Sequence, residues 1–170
     1  MLLFVRASLK DPMAGIPTVM RPLEASSWSF TDSKPRMKIE YDAKHTHEWT
    51  IGEFSKKMQM EVGQRLESST FSIKVGNKII LWCVRIYPNG KTDADIGHIS
   101  AYLVKASNAK LPLDVKYTLS VVDLKGFKSN SRTKESTFIE PNDYGYGLKK
   151  YISHTNLMNL ISDDTITRVI

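Results

Sequence analysis

The 170 residues, 41% apolar, 9% aromatic and 25% charged, suffice for one globular domain with a substantial core and some additional chain. The net charge of +6 divides evenly, +3 over residues 1–38 and +3 over the remaining 132, and so does not point to a nucleic-acid surface. A single cysteine excludes an internal disulfide, and no apolar run reaches the roughly 18–20 residues of a membrane span.

The chain opens on Met1-Leu-Leu-Phe-Val-Arg6, an apolar stretch shorter than the roughly 7–15 residues of a signal-peptide core. An intracellular setting is therefore expected. Residues 1–38 carry Pro12, Pro17, Pro22, Pro35, Gly15 and the Ser/Thr-rich patch from Ser26 to Ser33, with no sustained period of 3.6 or 2. They are expected to form a flexible or disordered arm, dispensable for stability, in which Trp28 and Phe30 dock only locally.

From residue 39 the texture changes to short apolar runs separated by turn signals. Glu48–Phe54 reads as a first strand. Lys78–Tyr87, rich in β-branched and aromatic residues and closed by Pro88-Asn89-Gly90, reads as a long buried strand running into a tight turn. Ile99–Ala106 alternates, with Ile99, Ala101 and Leu103 on one face and Ser100, Tyr102 and Val104 on the other. Val115–Leu124 is a further strand before Lys125-Gly126, and Thr137–Glu140 a short one before Pro141. Thr165–Val169 begins a last strand that the end of the chain cuts off. Only Phe54–Leu66 and Tyr151–Leu160 have helical potential. Many short strands, regular turns and little helix predict an all-β fold, an antiparallel β-sandwich spanning residues 39–170.

Several of these segments carry a recurring pattern in order: Trp49-Thr-Ile51 with Phe54, Ser68-Ser-Thr-Phe71, and Trp82-Cys-Val-Arg85-Ile-Tyr-Pro88-Asn-Gly90. Ser100-x-Tyr102-Leu103, Gly147-Leu-Lys-Lys-Tyr-Ile152 and Asp163-Asp164-x-Ile166-Thr167 follow. The pattern resembles the MATH (TRAF-like) domains, and among them the speckle-type MATH-BTB adaptors. The resemblance implies a TRAF-like sandwich of two antiparallel sheets. A client segment would lie extended in a groove on one sheet, partly as an added strand. In those adaptors a BTB domain, absent from these 170 residues, dimerises and recruits a cullin-3 ubiquitin ligase.

The resemblance also nominates peptide-binding residues. Tyr102 falls at a groove tyrosine, and its neighbours Ser100 and Val104 are less apolar than the opposite face. Tyr117 matches a groove phenylalanine, although alternation groups it with Val115, Leu119 and Val121 as core. Phe138 matches a groove tyrosine or, with a shift of two residues, a core phenylalanine. Tyr146 and Leu148 stand where the family has a tryptophan and a phenylalanine, and Gly147 is expected where a peptide backbone approaches closely. Lys134, Tyr144 and Gly145 depart from the family's serine, lysine and aspartate. A loss of small polar partners and a gain of cation suggest a different preferred peptide, with an acidic or phosphorylated residue near Arg132 and Lys134.

Other constellations do not support chemistry. His45 and His47 share a strand face but have no third ligand at suitable spacing. Cys83 lies within a strand, where a thiol acts as a small hydrophobe. Asp163-Asp164 reads as a turn, Lys149-Lys150 as a solvated edge, and no phosphate loop or nucleophile elbow is present. The expectation is a non-enzymatic, cofactor-free, monomeric peptide-recognition module of the nucleus or cytoplasm. Its clients would carry extended Ser/Thr-containing motifs, with cullin-3 reached only through a BTB domain and no nucleic acid or membrane partner. The alternatives are a TRAF-like oligomeric scaffold, disfavoured by the absence of heptads in residues 1–38, and the targeting domain of an enzyme such as a ubiquitin-specific protease.

Overall fold

A computed structural model describes residues 1–10, 43–75, 77–107, 112–123, 125–139 and 145–161. In chain order they form β1 (Leu2–Lys10), β2 (Ala43–Thr50), α1 (Phe54–Lys57), β3 (Leu66–Glu67), β4 (Phe71–Val75) and β5 (Lys78–Tyr87). A 3-10 turn (Asp93–Asp95), β6 (His98–Lys105), β7 (Leu113–Val122), β8 (Lys128–Phe138), β9 (Tyr146–Ser153) and α2 (His154–Leu160) follow. One sheet has the order β2-β1-β7-β8 and the other β3-β5-β6-β9, with β4 also pairing with β5. All pairings are antiparallel. The fold is the antiparallel sandwich that the alternating pattern predicts.

The core lies between the sheets. Leu3, Val5 and Ala7 of β1 and Leu113, Val115, Tyr117, Leu119 and Val121 of β7 face Ile80, Trp82, Val84 and Ile86 of β5 and Ile99, Ala101 and Leu103 of β6. Each set has the period of two that a half-buried strand requires. β5 lies where its β-branched and aromatic run places it, and Trp82 at its centre is fully buried.

Several elements differ from expectation, among them the first strand, which ends at Thr50 and leaves Phe54 to open the short α1. Residues 1–38 are not an arm throughout: β1 is an interior strand, with Leu3 opposite Trp49 of β2 and opposite Val121 of β7. Its alternating Leu3, Val5 and Ala7 fill the core, and the prolines that give this region its loop-like composition begin only at Pro12. The short strand at Thr137–Glu140 is the end of an eleven-residue one, β8. Its outer face is held by polar cross-strand pairs rather than apolar ones: Thr118–Thr133 at 2.8 Å, Thr137 to Asp114 at 2.7 Å and Lys116–Glu135 at 2.9 Å. Tyr151 is not helical but belongs to β9, and α2 starts at His154, capped by the Ser153 hydroxyl accepting from the Asn156 amide. Residues 11–42, Tyr144, Asp163-Asp164 and the strand expected at Thr165–Val169 lie outside the described residues.

The turn after β5 ties distant parts of the chain together. The Pro88 carbonyl lies 2.7 Å from His154 Nε2, Asn89 donates to the Met60 carbonyl, and the Gly63 amide donates to Gly90. Gly90 has φ +87°, and a Cβ there would stand 2.6 Å from the Asp95 carbonyl carbon and oxygen. No side chain fits without moving backbone.

Two stability measurements follow from these positions. Removing residues 1–10 strips an interior strand from a four-stranded sheet and should abolish the cooperative thermal transition; an unchanged melting curve would show that β1 does not hold the sheet together. Gly90→Ala combines a left-handed backbone with a backbone collision and should lower urea stability by about 1–3 kcal/mol or more. A midpoint equal to the parent's would show that the turn relaxes freely.

Candidate functional site

Each sheet ends in an edge strand, β8 in one and β9 in the other, and the two edges meet at one rim of the sandwich. They touch at two places. At one, the Phe138 and Tyr146 rings pack edge-to-face 4.7 Å apart, and the Tyr117 hydroxyl donates to the Tyr146 carbonyl at 2.7 Å. At the other, Asn130 Nδ2 donates to the Tyr151 carbonyl at 3.2 Å and the Tyr151 hydroxyl donates to the Asn130 carbonyl at 3.1 Å. Asn130 has φ +48°, beside the register shift between β7 and β8 that turns its amide toward β9.

Between these closures lie Arg132 and Lys134. They pair in register with Leu119 and Tyr117, which face the core, so alternation puts all four on the inner side of their sheet. Leu119 and Tyr117 are covered by the opposite sheet, whereas Arg132 and Lys134, one strand further out, are exposed at the rim. The Arg132 charge is felt by the Tyr151 hydroxyl across the cleft. Tyr146 and Leu148 of β9 are half-buried and pack onto the core from the other wall.

Tyr117 and Phe138, nominated as groove walls, belong to the core instead. They are 1% and 0% exposed, the Phe138 ring stands edge-to-face on Trp82 at 4.9 Å, and burial pushes the Tyr117 hydroxyl above the usual tyrosine range. Alternation along β7 had placed Tyr117 inward. Gly147 is tight against β6: a Cβ there would collide with the Ala101 carbonyl oxygen and lie 2.6 Å from the Tyr102 Cα. At Gly145 (φ +63°) a Cβ would lie 2.7 Å from the Leu103 carbonyl oxygen. Both glycines let β9 close onto β6.

Tyr102 faces the opposite side of β6, away from Tyr146 and Leu148. There it forms a small cluster with Cys83, Tyr87 and Val104. Its ring meets Tyr87 edge-to-face at 5.7 Å, and Lys91 Nζ stands 4.9 Å from its centroid. The hydroxyl is buried without a hydrogen-bond partner among the described residues, and desolvation, aided by Asp95 and Tyr87, pushes it up to about 12. Burial likewise raises the Cys83 thiol, in keeping with a small hydrophobe.

Arg85, which sequence reasoning left out of the site, sits directly opposite Tyr102 in register on this same face. Its Nε donates to Glu67 at 2.7 Å, while its Nη1 is buried and unpartnered. The signal was its place in the Trp-x-x-Arg spacing, but only the sheet register reveals that it adjoins Tyr102. A guanidinium nitrogen and a phenol thus lie buried side by side on this face, both able to donate and neither with an acceptor among the described residues.

The MATH domain family model matches residues 46–168. The chain belongs to the MATH domain family. MATH domains are generally protein-interaction modules and typically non-catalytic, which makes proteins the class of partner to expect. The match to the MATH domain starts within β2, so β1 lies outside it.

His45 and His47 stack on the Phe71 ring at 4.9 and 4.5 Å, and no group of three His, Cys, Asp or Glu is placed to hold a metal among the described residues. Burial, then the His45 charge, lowers the His47 pKa below 6.5, and its Nε2 is buried without a partner. The folded protein therefore resists a proton that the unfolded chain accepts. Stability should be unaffected by this group above pH 6.5 and fall on acidification from there until the lowered folded pKa is passed. His47→Phe should shrink the drop in urea midpoint between neutral and mildly acidic buffer; an identical drop would assign it to other groups.

Proposed function

We propose that this MATH domain binds an extended client segment as an added strand on the edge of β9 between its two contacts with β8. Among the described residues β9 pairs with β6 on one side only, and β-strand addition supplies sequence-independent main-chain hydrogen bonds. The observation that carries the reading is the placement of chemistry on both sides of that edge. Tyr102 and Arg85, with desolvated unpartnered donors, lie on the outer face. Tyr146, Leu148, Arg132 and Lys134 line the rim cleft on the inner side. Successive side chains of an added strand point alternately to these two faces. Recognition would thus be divided between two subsites rather than gathered on one wall.

On this reading Ser/Thr-containing clients fit the outer subsite, because a hydroxyl can accept from Tyr102, one strand in from β9, once the Lys91 side chain over its ring moves aside. The domain would serve as the client-binding part of a cullin-3-type ubiquitin ligase adaptor, in the nucleus or cytoplasm. Cullin-3 would be reached through a BTB domain outside these residues, and the isolated domain would be monomeric.

Tyr102→Phe tests the outer subsite without removing the ring. Affinity for a Ser/Thr-containing client peptide should fall by about 0.5–1.5 kcal/mol, the worth of one hydrogen bond. Thermal stability should hold or rise, because a buried unpartnered hydroxyl is removed. Tyr146→Ala should weaken the same peptide by about 1–2 kcal/mol, in the range of aromatic hot spots. Trp82→Ala is the contrast: it should cost about 3–5 kcal/mol of folding stability. Calorimetric titration in which both tyrosine variants keep full affinity for every peptide found in an unbiased screen would sink the reading.

A further inference from the structure

We propose that the rim cleft selects client segments with acidic or phosphorylated side chains at two alternating positions, i and i+2, read by Lys134 and Arg132. The inference rests on strand addition at β9 and adds to it a class of ligand.

The first ground is charge without compensation. Arg132 and Lys134 are exposed on the inner side of β8, and among the described residues neither has an ion pair or hydrogen bond. The carboxylate nearest in sequence, Glu135, points to the other face, where it pairs with Lys116 at 2.9 Å. The inward positions of β8 are Asn130, Arg132, Lys134, Ser136 and Phe138, and the facing strand reads Tyr-Gly-Leu-Lys-Lys-Tyr-Ile-Ser. Neither wall contributes a carboxylate, and β9 adds Lys149 and Lys150, both exposed.

The second ground is spacing. Arg132 and Lys134 are alternate residues of a regular strand, so they stand roughly 6.5–7 Å apart along it. Alternate side chains of an extended peptide have the same interval. A peptide lying along the cleft therefore presents i and i+2 to both cations at once, while i+1 turns to the outer face and Tyr102.

The third ground is the closure of the cleft at both ends, by Phe138–Tyr146 and by Asn130–Tyr151. It confines the cations to a short window whose opposite wall is apolar at Tyr146 and Leu148. A partly desolvated wall strengthens ion pairing relative to open surface, and a guanidinium engages a carboxylate or phosphate through two hydrogen bonds.

The test is selection of the purified chain against an immobilised library of short random peptides, one half made with phosphoserine among the varied residues. The bound pool should be enriched in Asp, Glu or phosphoserine at two positions separated by one residue. Comparison of the library halves tells carboxylate from phosphate. The double variant Arg132→Glu/Lys134→Glu, whose positions are exposed, should keep the parent's melting curve and shift the enrichment toward Lys and Arg. It should bind the best acidic peptide at least about tenfold more weakly, the loss of one charge-assisted hydrogen bond. A populated pool without the alternating acidic pattern would overturn this inference alone, as would a pattern that survives the double variant. An empty pool would overturn strand addition at β9 and this inference with it.

Discussion

The edge-to-face contact between Trp82 and Phe138 is the interaction on which the rest of the sandwich depends. Trp82 belongs to the central strand of one sheet and Phe138 to the edge strand of the other, so their contact sets the distance between the sheets. Phe138 passes the constraint to Tyr146, and Tyr117 pins the Tyr146 carbonyl. The indole nitrogen of Trp82 is buried without a partner among the described residues, a cost of about 1–3 kcal/mol. Ring shape outweighs it, since losing such a side chain costs about 3–5 kcal/mol. The core and the rim are one aromatic chain, and the rim inherits its rigidity from the core.

This continuity explains how far the fold and the site were legible in the sequence. β5 was legible because its β-branched and aromatic residues run unbroken into Pro-Asn-Gly, and β6 because both of its faces alternate cleanly. β8 was not, since ten of its eleven residues are polar or charged and its stability comes from partners on β7 that no local pattern shows. β1 was hidden by composition: a window of 38 residues averaged ten strand residues with the proline-rich stretch behind them. β9 was obscured by Gly145 and Gly147, which read as a loop but admit close approach to β6.

The candidate site was legible as a set of residues and not as an arrangement. Tyr146, Leu148, Arg132 and Lys134 do share a rim. Tyr102 lies across β6 from them, and Tyr117 and Phe138 support the rim from within. Arg85 escaped notice because a lone arginine in an apolar strand gains meaning only when its neighbour across the sheet is known. The charges that mark the rim have a second effect. Two adjacent edge strands bearing Lys128, Arg132, Lys134, Lys149 and Lys150 repel other copies of themselves, which discourages edge-to-edge aggregation while leaving the edge open to a peptide of opposite charge.

The interior position of β1 has a consequence for how the protein is made. Leu2 is hydrogen-bonded into a sheet beside Val122, and Lys10 beside Asp114. During synthesis the apolar residues of β1 emerge long before the strand that pairs with it, and the sheet stays split until β7 has left the ribosome. Pairings so distant along the chain are slow to form, because the entropy of closing a long loop is lost before any contact rewards it. The nascent chain therefore carries an open apolar strand until β7 is made, and the yield of folded protein in the cell becomes a matter of what shields that strand in the meantime.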